Sequence, residues 1–157
     1  VAALAATAML FASLASAYLV RRSFPDWTAP APAPWPFVLL ACGTWASIGI
    51  EAACRSEGRP RHRGLINLGA ASLFYLGGAT TVIVSIASGE GRLAAPHQAF
   101  VVLLLGVHVV HAILGGSFSL LSLRASVSDH GLSLVRLVTH SLTALLFAIF
   151  FLLFVLR

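Results

Sequence analysis

The sequence predicts an all-α protein, a polytopic membrane helix bundle with five transmembrane helices that form a single domain over residues 1–157. Three observations carry that expectation. Of the 157 residues 59% are hydrophobic and only 10% charged, and the mean hydropathy is +0.94, far from the balance of a domain that folds in water. Five apolar stretches approach or exceed the ~20 residues that cross roughly 30 Å of hydrocarbon. No two-residue alternation runs through them, and in lipid only helices or closed barrels satisfy their own backbone.

The first span is expected over residues 1–20. Its "ASA" at residues 15–17 is similar to a signal-peptide cleavage site, but the basic pair Arg21 and Arg22 follows the apolar core instead of preceding it. The stretch therefore reads as a retained helix. The segment "SFPDWTAPAPAPWP" that follows is punctuated by proline and predicts an extended strap, with Trp27 and Trp35 at headgroup level. The remaining spans are expected at 37–54, 65–88, 99–123 and 134–156. Between the second and third, "RSEGRPRHRG" holds Arg55, Arg59, Arg61 and Arg63; "GEGRLAAPH" then holds Arg92, and the fourth connection has Arg124 and Arg136 at its two ends.

The chain has no lysine, so its arginines alone report orientation. Six of them (Arg55, Arg59, Arg61, Arg63, Arg124 and Arg136) fall on the side of the N-terminus, and four (Arg21, Arg22, Arg92 and Arg157) on the other. The positive-inside rule then places the N-terminus in the cytoplasm and the C-terminus outside. These arginines form no basic patch with interleaved aromatics, so no nucleic-acid partner is expected. Cys42 and Cys54 lie roughly 18 Å apart along one helix and cannot pair with each other. Both read as buried small apolar residues.

Helices in lipid associate through close packing of small residues and through interhelical hydrogen bonds. Ala8, Ala12 and Ser16 recur every four residues on the first helix, Gly77 and Gly78 interrupt the third, and Ala112 and Gly116 are spaced four apart on the fourth. Such faces admit a neighbouring helix or another subunit. Ionisable residues inside the spans are the usual functional flags: Glu51, His108, His111 and His140. Glu51 has Arg55 one turn on, which predicts an i, i+4 ion pair. His108 and His111 share one helix face, each about half-way through the bilayer. The plainest reading of the three histidines is structural, each imidazole bonding a hydroxyl or carbonyl on a neighbouring helix, with Thr7, Ser72, Thr80 and Thr81 among the available partners. A haem held by His111 and His140 and a proton relay are the alternatives. No HExxH, phosphate loop, nucleophile elbow or carboxylate pair is present, so no catalytic residue and no metal ligand is expected in this chain.

"GVHVVHAILGG" resembles the two-histidine helix of subunit III of haem-copper cytochrome oxidases, with its pattern G-hydrophobe-H-x-x-H-x-x-x-G-G. "MLFASLASAYLVRR" at residues 9–22 looks like that family's M-F-F-A-x-x-x-x-A-Y helix with its basic exit. His140, in "VTHSLTALLFAIFFLLFVL", stands where the family has W-H-F opening its last helix. The resemblance covers nearly the whole chain and suits the short five-helix form. It implies a non-catalytic accessory subunit of an aerobic respiratory terminal oxidase, multi-pass in the bacterial inner (plasma) membrane, beside subunit I, which carries haems and copper, and subunit II. The implied role is to stabilise subunit I, support proton uptake and bind phospholipid, with Arg21, Arg22, Arg55 and Arg59 as candidates for the headgroups. A place in a respiratory supercomplex is compatible with it. The chain departs from the pattern at Thr7, where the family usually has an acid, and at Thr139 and Ser141, where it has Trp and Phe; the role of that acid is not carried over. Two other readings stand beside this one: a b-type cytochrome or quinone-site anchor using His111 and His140, and the related accessory subunit of nitric-oxide reductase.

Overall fold

The computed structural model describes residues 2–27, 34–88, 96–124 and 129–155. They form α1 (Ala2–Arg22), α2 (Trp35–Cys54), α3 (Gly58–Ser88), α4 (Pro96–Arg124) and α5 (Asp129–Phe150), the last continuing into a π-helical turn, Phe151–Val155. Each of the five helices contains a stretch long and apolar enough to cross a membrane. Large apolar side chains on the outer surface agree with that length: Met9, Phe37, Ile48, Leu73, Phe74 and Leu114 are all more than half exposed.

Four helices begin earlier than the hydropathy pattern predicts. α3 opens at Gly58 instead of residue 65, so that only Arg55, Ser56 and Glu57 separate it from α2. Pro60 lies in its first turn, Pro36 in the first turn of α2, and Pro96 opens α4. Proline is tolerated there because the first amides of a helix have no intrahelical acceptor to lose. Residues that read as connection are thus helix openings. α5 starts at Asp129, which puts Arg136 two turns inside the helix and not at the end of a connection.

The strap after α1 is not extended where it is described. Ser23, Phe24 and Trp27 donate their amides to the carbonyls of Val20, Arg21 and Phe24, winding the chain into successive turns. Residues 28–33 of the proline-rich segment, and the connections 89–95 and 125–128 with Arg92, lie outside the described residues, as does Arg157. Trp27 and Trp35 are both half-buried and pack on the core cluster formed by Phe11, Tyr18, Val101, Leu104 and Ile149. Their first partners are therefore protein side chains. Gly77 and Gly78 do not interrupt α3, which runs unbroken through them.

α2, α3, α4 and α5 pack in a closed ring, each touching the next and α5 returning to α2, while α1 leans on α4 and α5 from outside. The tightest contact is between α2 and α3. A Cβ on Gly49 would stand 2.9 Å from the Leu68 amide nitrogen, and one on Gly64 would stand 2.7 Å from that of Ala53. Only glycine at both positions lets the two backbones meet. On α4 the packing glycine is Gly115, whose added Cβ would meet Val138 at 2.9 Å, whereas Gly116 has nothing within 4 Å. α1 buries a stripe of Thr7, Phe11 and Tyr18 and turns Ala8, Ala12 and Ser16 outward.

Candidate functional site

A polar seam joins α2 to α5. On α2, Gly43, Ser47, Glu51 and Arg55 follow one another at four-residue spacing and so line one face. On α5, Arg136, His140 and Thr143 do the same at spacings of four and three. Ser47 donates its hydroxyl to Thr143 Oγ1 at 2.9 Å, and Thr143 donates to the Gly43 carbonyl at 3.1 Å. One turn further along, the Glu51 carboxylate gathers three partners. Arg55 reaches Oε1 through Nε and Nη2, both at 2.8 Å. Arg136 places Nε 2.8 Å from Oε2 and Nη2 3.1 Å from Oε1, a two-pronged grip across the helix pair. His140 Nε2 lies 3.4 Å from Oε2.

The expected ion pair between Glu51 and Arg55 is present, but it is one part of a four-residue cluster. Glu51 is 22% exposed, against 42% for His140 and 47% for Arg136, so the carboxylate is the sheltered centre of a more open ring of donors. Such a node fixes the rotation of α5 about its own axis relative to α2.

His108 and His111 occupy the α1–α3–α4 side of the bundle. His108 is 3% exposed and lies edge-on between Phe11 of α1 and Tyr75 of α3, with ring centroids 6.1 and 5.3 Å away. His111 packs on the same Phe11 at 6.0 Å and donates from Nδ1 to the carbonyl of Val107 at 2.8 Å. The carbonyl lies on its own helix, one turn back, and not on a neighbouring helix as expected. The acceptor settles which ring nitrogen carries the proton. Two of the proposed hydroxyl partners are spent the same way: Ser72 donates to Leu68 O and Thr81 to Gly77 O, each at 2.8 Å. His111 engages α1 and its own backbone, whereas His140 engages Glu51 of α2. Among the described residues, no three His, Cys, Asp or Glu side chains converge as a metal site would require.

The Tyr75–His108 contact borders a laterally open cavity of about 370 Å³ lined by α2, α3, α4 and α5. Leu68, Leu76, Ala112 and Leu142 supply apolar wall, and Gly115 and Gly116 leave room on the α4 side. Cys42 is buried on the same wall, whereas Cys54 is half-buried and less enclosed than expected; both are free thiols.

The four arginines expected at headgroups differ in their surroundings. Arg21 grips Asp26 through both terminal nitrogens, one bond being 2.6 Å from Nη1 to Oδ1, and its guanidinium lies 5.1 Å from the Phe24 ring. That hydrogen bond, reinforced by the charge of Arg21, holds the Asp26 carboxyl below its ordinary range. Arg22 is half-buried, while Arg55 and Arg59 are exposed. Nearby, Tyr18 is fully buried against Trp27 at 5.1 Å and Phe100 at 5.5 Å, locking the turn after α1 onto α4.

Sequence reasoning missed Arg136 and Tyr75. The Arg136–His140 spacing of four on α5 was a usable signal, because it matches the spacing of Ser47, Glu51 and Arg55 on α2; nothing marked Tyr75. No protein-family model, no curated protein and no solved structure matches this chain.

Proposed function

We propose that this chain is the short, five-helix subunit III of a bacterial respiratory haem-copper oxidase, a non-catalytic multi-pass subunit of the inner (plasma) membrane that braces the catalytic subunit I. One observation carries the reading: the two most informative motifs pack on each other. Phe11, inside "MLFASLASAYLVRR", wedges against both histidines of "GVHVVHAILGG", at 6.1 and 6.0 Å. The histidines thereby serve as packing elements of the bundle, and haem and copper chemistry falls to subunit I, with subunit II as a further neighbour.

Two further features support it. The outward face of α1, with Ala8, Ala12 and Ser16 exposed, suits close approach by a larger helical partner. With the N-terminus in the cytoplasm, the Glu51 cluster stands at the cytoplasmic end of the bundle, where a subunit that protects its partner's proton entrance needs fixed polar groups. Phospholipid headgroups would pair with exposed Arg59 and with Arg55, which keeps 76% of its side chain exposed while bound to Glu51; Arg21 is already engaged by Asp26.

The test is gentle detergent purification through a tag on this chain, followed by an optical spectrum and mass identification of co-purifying proteins. A large polytopic partner with haem a or o features is expected. A lone chain carrying bis-histidine haem b overturns the reading, and a partner with the non-haem iron of a nitric-oxide reductase moves the chain to that related class.

A further inference from the structure

We propose that the cavity lined by α2, α3, α4 and α5 takes one acyl chain of an anionic phospholipid, whose phosphate sits at the arginines where α3 begins. The inference goes beyond the oxidase reading: it needs the chain to span a membrane, but no partner subunit.

The wall asks for hydrocarbon. Leu68, Leu76, Ala112 and Leu142 line it, and the hydroxyls of Ser72, Thr139 and Thr143 already donate to the backbone carbonyls of Leu68, Val135 and Gly43. The Tyr75 hydroxyl and His108 Nδ1 are fully buried and do not face the cavity. The volume of about 370 Å³ is thus bounded mainly by carbon.

Depth and access match an acyl chain. Along α3 the wall runs through Leu65, Leu68, Ser72 and Leu76 at steps of three and four residues, one face of the helix over ~16 Å. That is about half of the roughly 30 Å of hydrocarbon in a bilayer, the depth of one leaflet. The opening is lateral: Leu73 and Ile113 on its rim are 72% and 50% exposed, and a Cβ on Gly69 or Gly116 would meet nothing within 4 Å. A chain already in the leaflet can enter sideways.

The charge at one end selects the headgroup. Arg61 stands on the same face one turn beyond Leu65 and opens the apolar stretch of α3, Arg61–Ser88, which puts it at the level of headgroup phosphates. Arg55, Arg59, Arg63 and Arg136 are exposed at the same end, against Glu51 and Glu57, and Glu51 is already shared by Arg55, Arg136 and His140. Arginines outnumber acids there, so a phosphate without an amine is preferred to a zwitterionic headgroup. An apolar helix of another protein would match the wall but leave this charge unanswered.

The experiment uses the full chain in phosphatidylcholine bilayers doped with phosphatidylglycerol that carries a photoreactive diazirine on one acyl chain. Expected are saturable labelling mapped to the cavity walls on α3 and α4, and competition by unlabelled phosphatidylglycerol but not by the same amount of phosphatidylethanolamine. Arg61→Gln should weaken the labelling about fivefold. Gly69→Leu and Gly116→Leu, whose side chains would fill the cavity, should abolish it. Because a Cβ meets nothing at either glycine, both filled variants should keep the wild-type unfolding midpoint, and Arg61→Gln keeps the test readable if they do not fold. Labelling that never saturates, that phosphatidylethanolamine competes equally, or that persists in both filled variants would overturn the proposal. So would wall labelling that appears only after a co-purifying protein is stripped away, which would assign the cavity to that protein. A lone chain that labels as expected supports the lipid site even where no oxidase partner is found.

Discussion

Arg136 on α5 holds Glu51 on α2 with both of its prongs, Nε at 2.8 Å from Oε2 and Nη2 at 3.1 Å from Oε1. Because Arg55 and His140 share the same carboxylate, one negative charge serves three donors. Glu51→Gln should lower the unfolding midpoint more than Arg55→Gln, since it frees Arg136 and His140 as well. In a double-mutant cycle, Glu51→Gln with Arg136→Gln should be little worse than Glu51→Gln alone. Strict additivity in detergent unfolding would show that the two side chains do not act as one node.

The spans were legible because apolar length is a one-dimensional property that survives ignorance of the neighbours. Their beginnings were not, because Pro36, Pro60 and Pro96 read equally well as linkers or as first-turn residues. Glu51 and Arg55 were legible as a local pair at i, i+4. Arg136 and His140 lie 85 and 89 residues from Glu51, and their meeting depends on how α2 and α5 are rotated, which no local pattern encodes. His111 shows the opposite case: its acceptor is the carbonyl four residues back on its own helix and not a group on a neighbouring one. For Gly49 and Gly64 the signal was missing altogether, since single glycines acquire meaning only when the opposing backbone is known.

Those two glycines give the sharpest stability contrast. A Cβ at Gly49 or Gly64 would sit 2.7–3.0 Å from backbone atoms of the facing helix, which cannot yield as a flexible side chain can. Gly49→Ala and Gly64→Ala should each cost about 1–3 kcal/mol by forcing α2 and α3 apart. Gly69→Ala and Gly77→Ala, with nothing within 4 Å, should be neutral or gain up to ~1 kcal/mol of helix propensity. Unfolding midpoints of the four variants check the order, and equal effects at all four would contradict the close contact.

Phe11 is the link between α1 and both histidines of α4. It is 6% exposed, and truncating a buried phenylalanine typically costs about 3–5 kcal/mol in water-soluble cores. The loss here should fall near the low end, ~3 kcal/mol or less, because lipid tails are as apolar as the core and only packing is forfeited. Phe11→Ala should therefore detach α1 while α2–α5 stay together. Limited proteolysis after Arg21 or Arg22 reads this out, and α1 remaining as protected as in the wild type would be the failing result.

The turn after α1 should be acid-sensitive through Asp26. The hydrogen bond from Arg21 lowers the Asp26 carboxyl below its ordinary value of about 3.9, so the native state favours the ionised form. A group depressed in this way contributes its stabilisation above the ordinary value and loses it as pH falls through the depressed one. Between pH 5 and 8 the turn should thus be insensitive to pH; below about pH 4 the grip of Arg21 should weaken and Trp27 should leave Tyr18. Tryptophan emission should show a transition only in that acid range. In Asp26→Asn the emission should already be shifted at neutral pH and show no acid step, and an acid step that persists in this variant would assign the titration to another group.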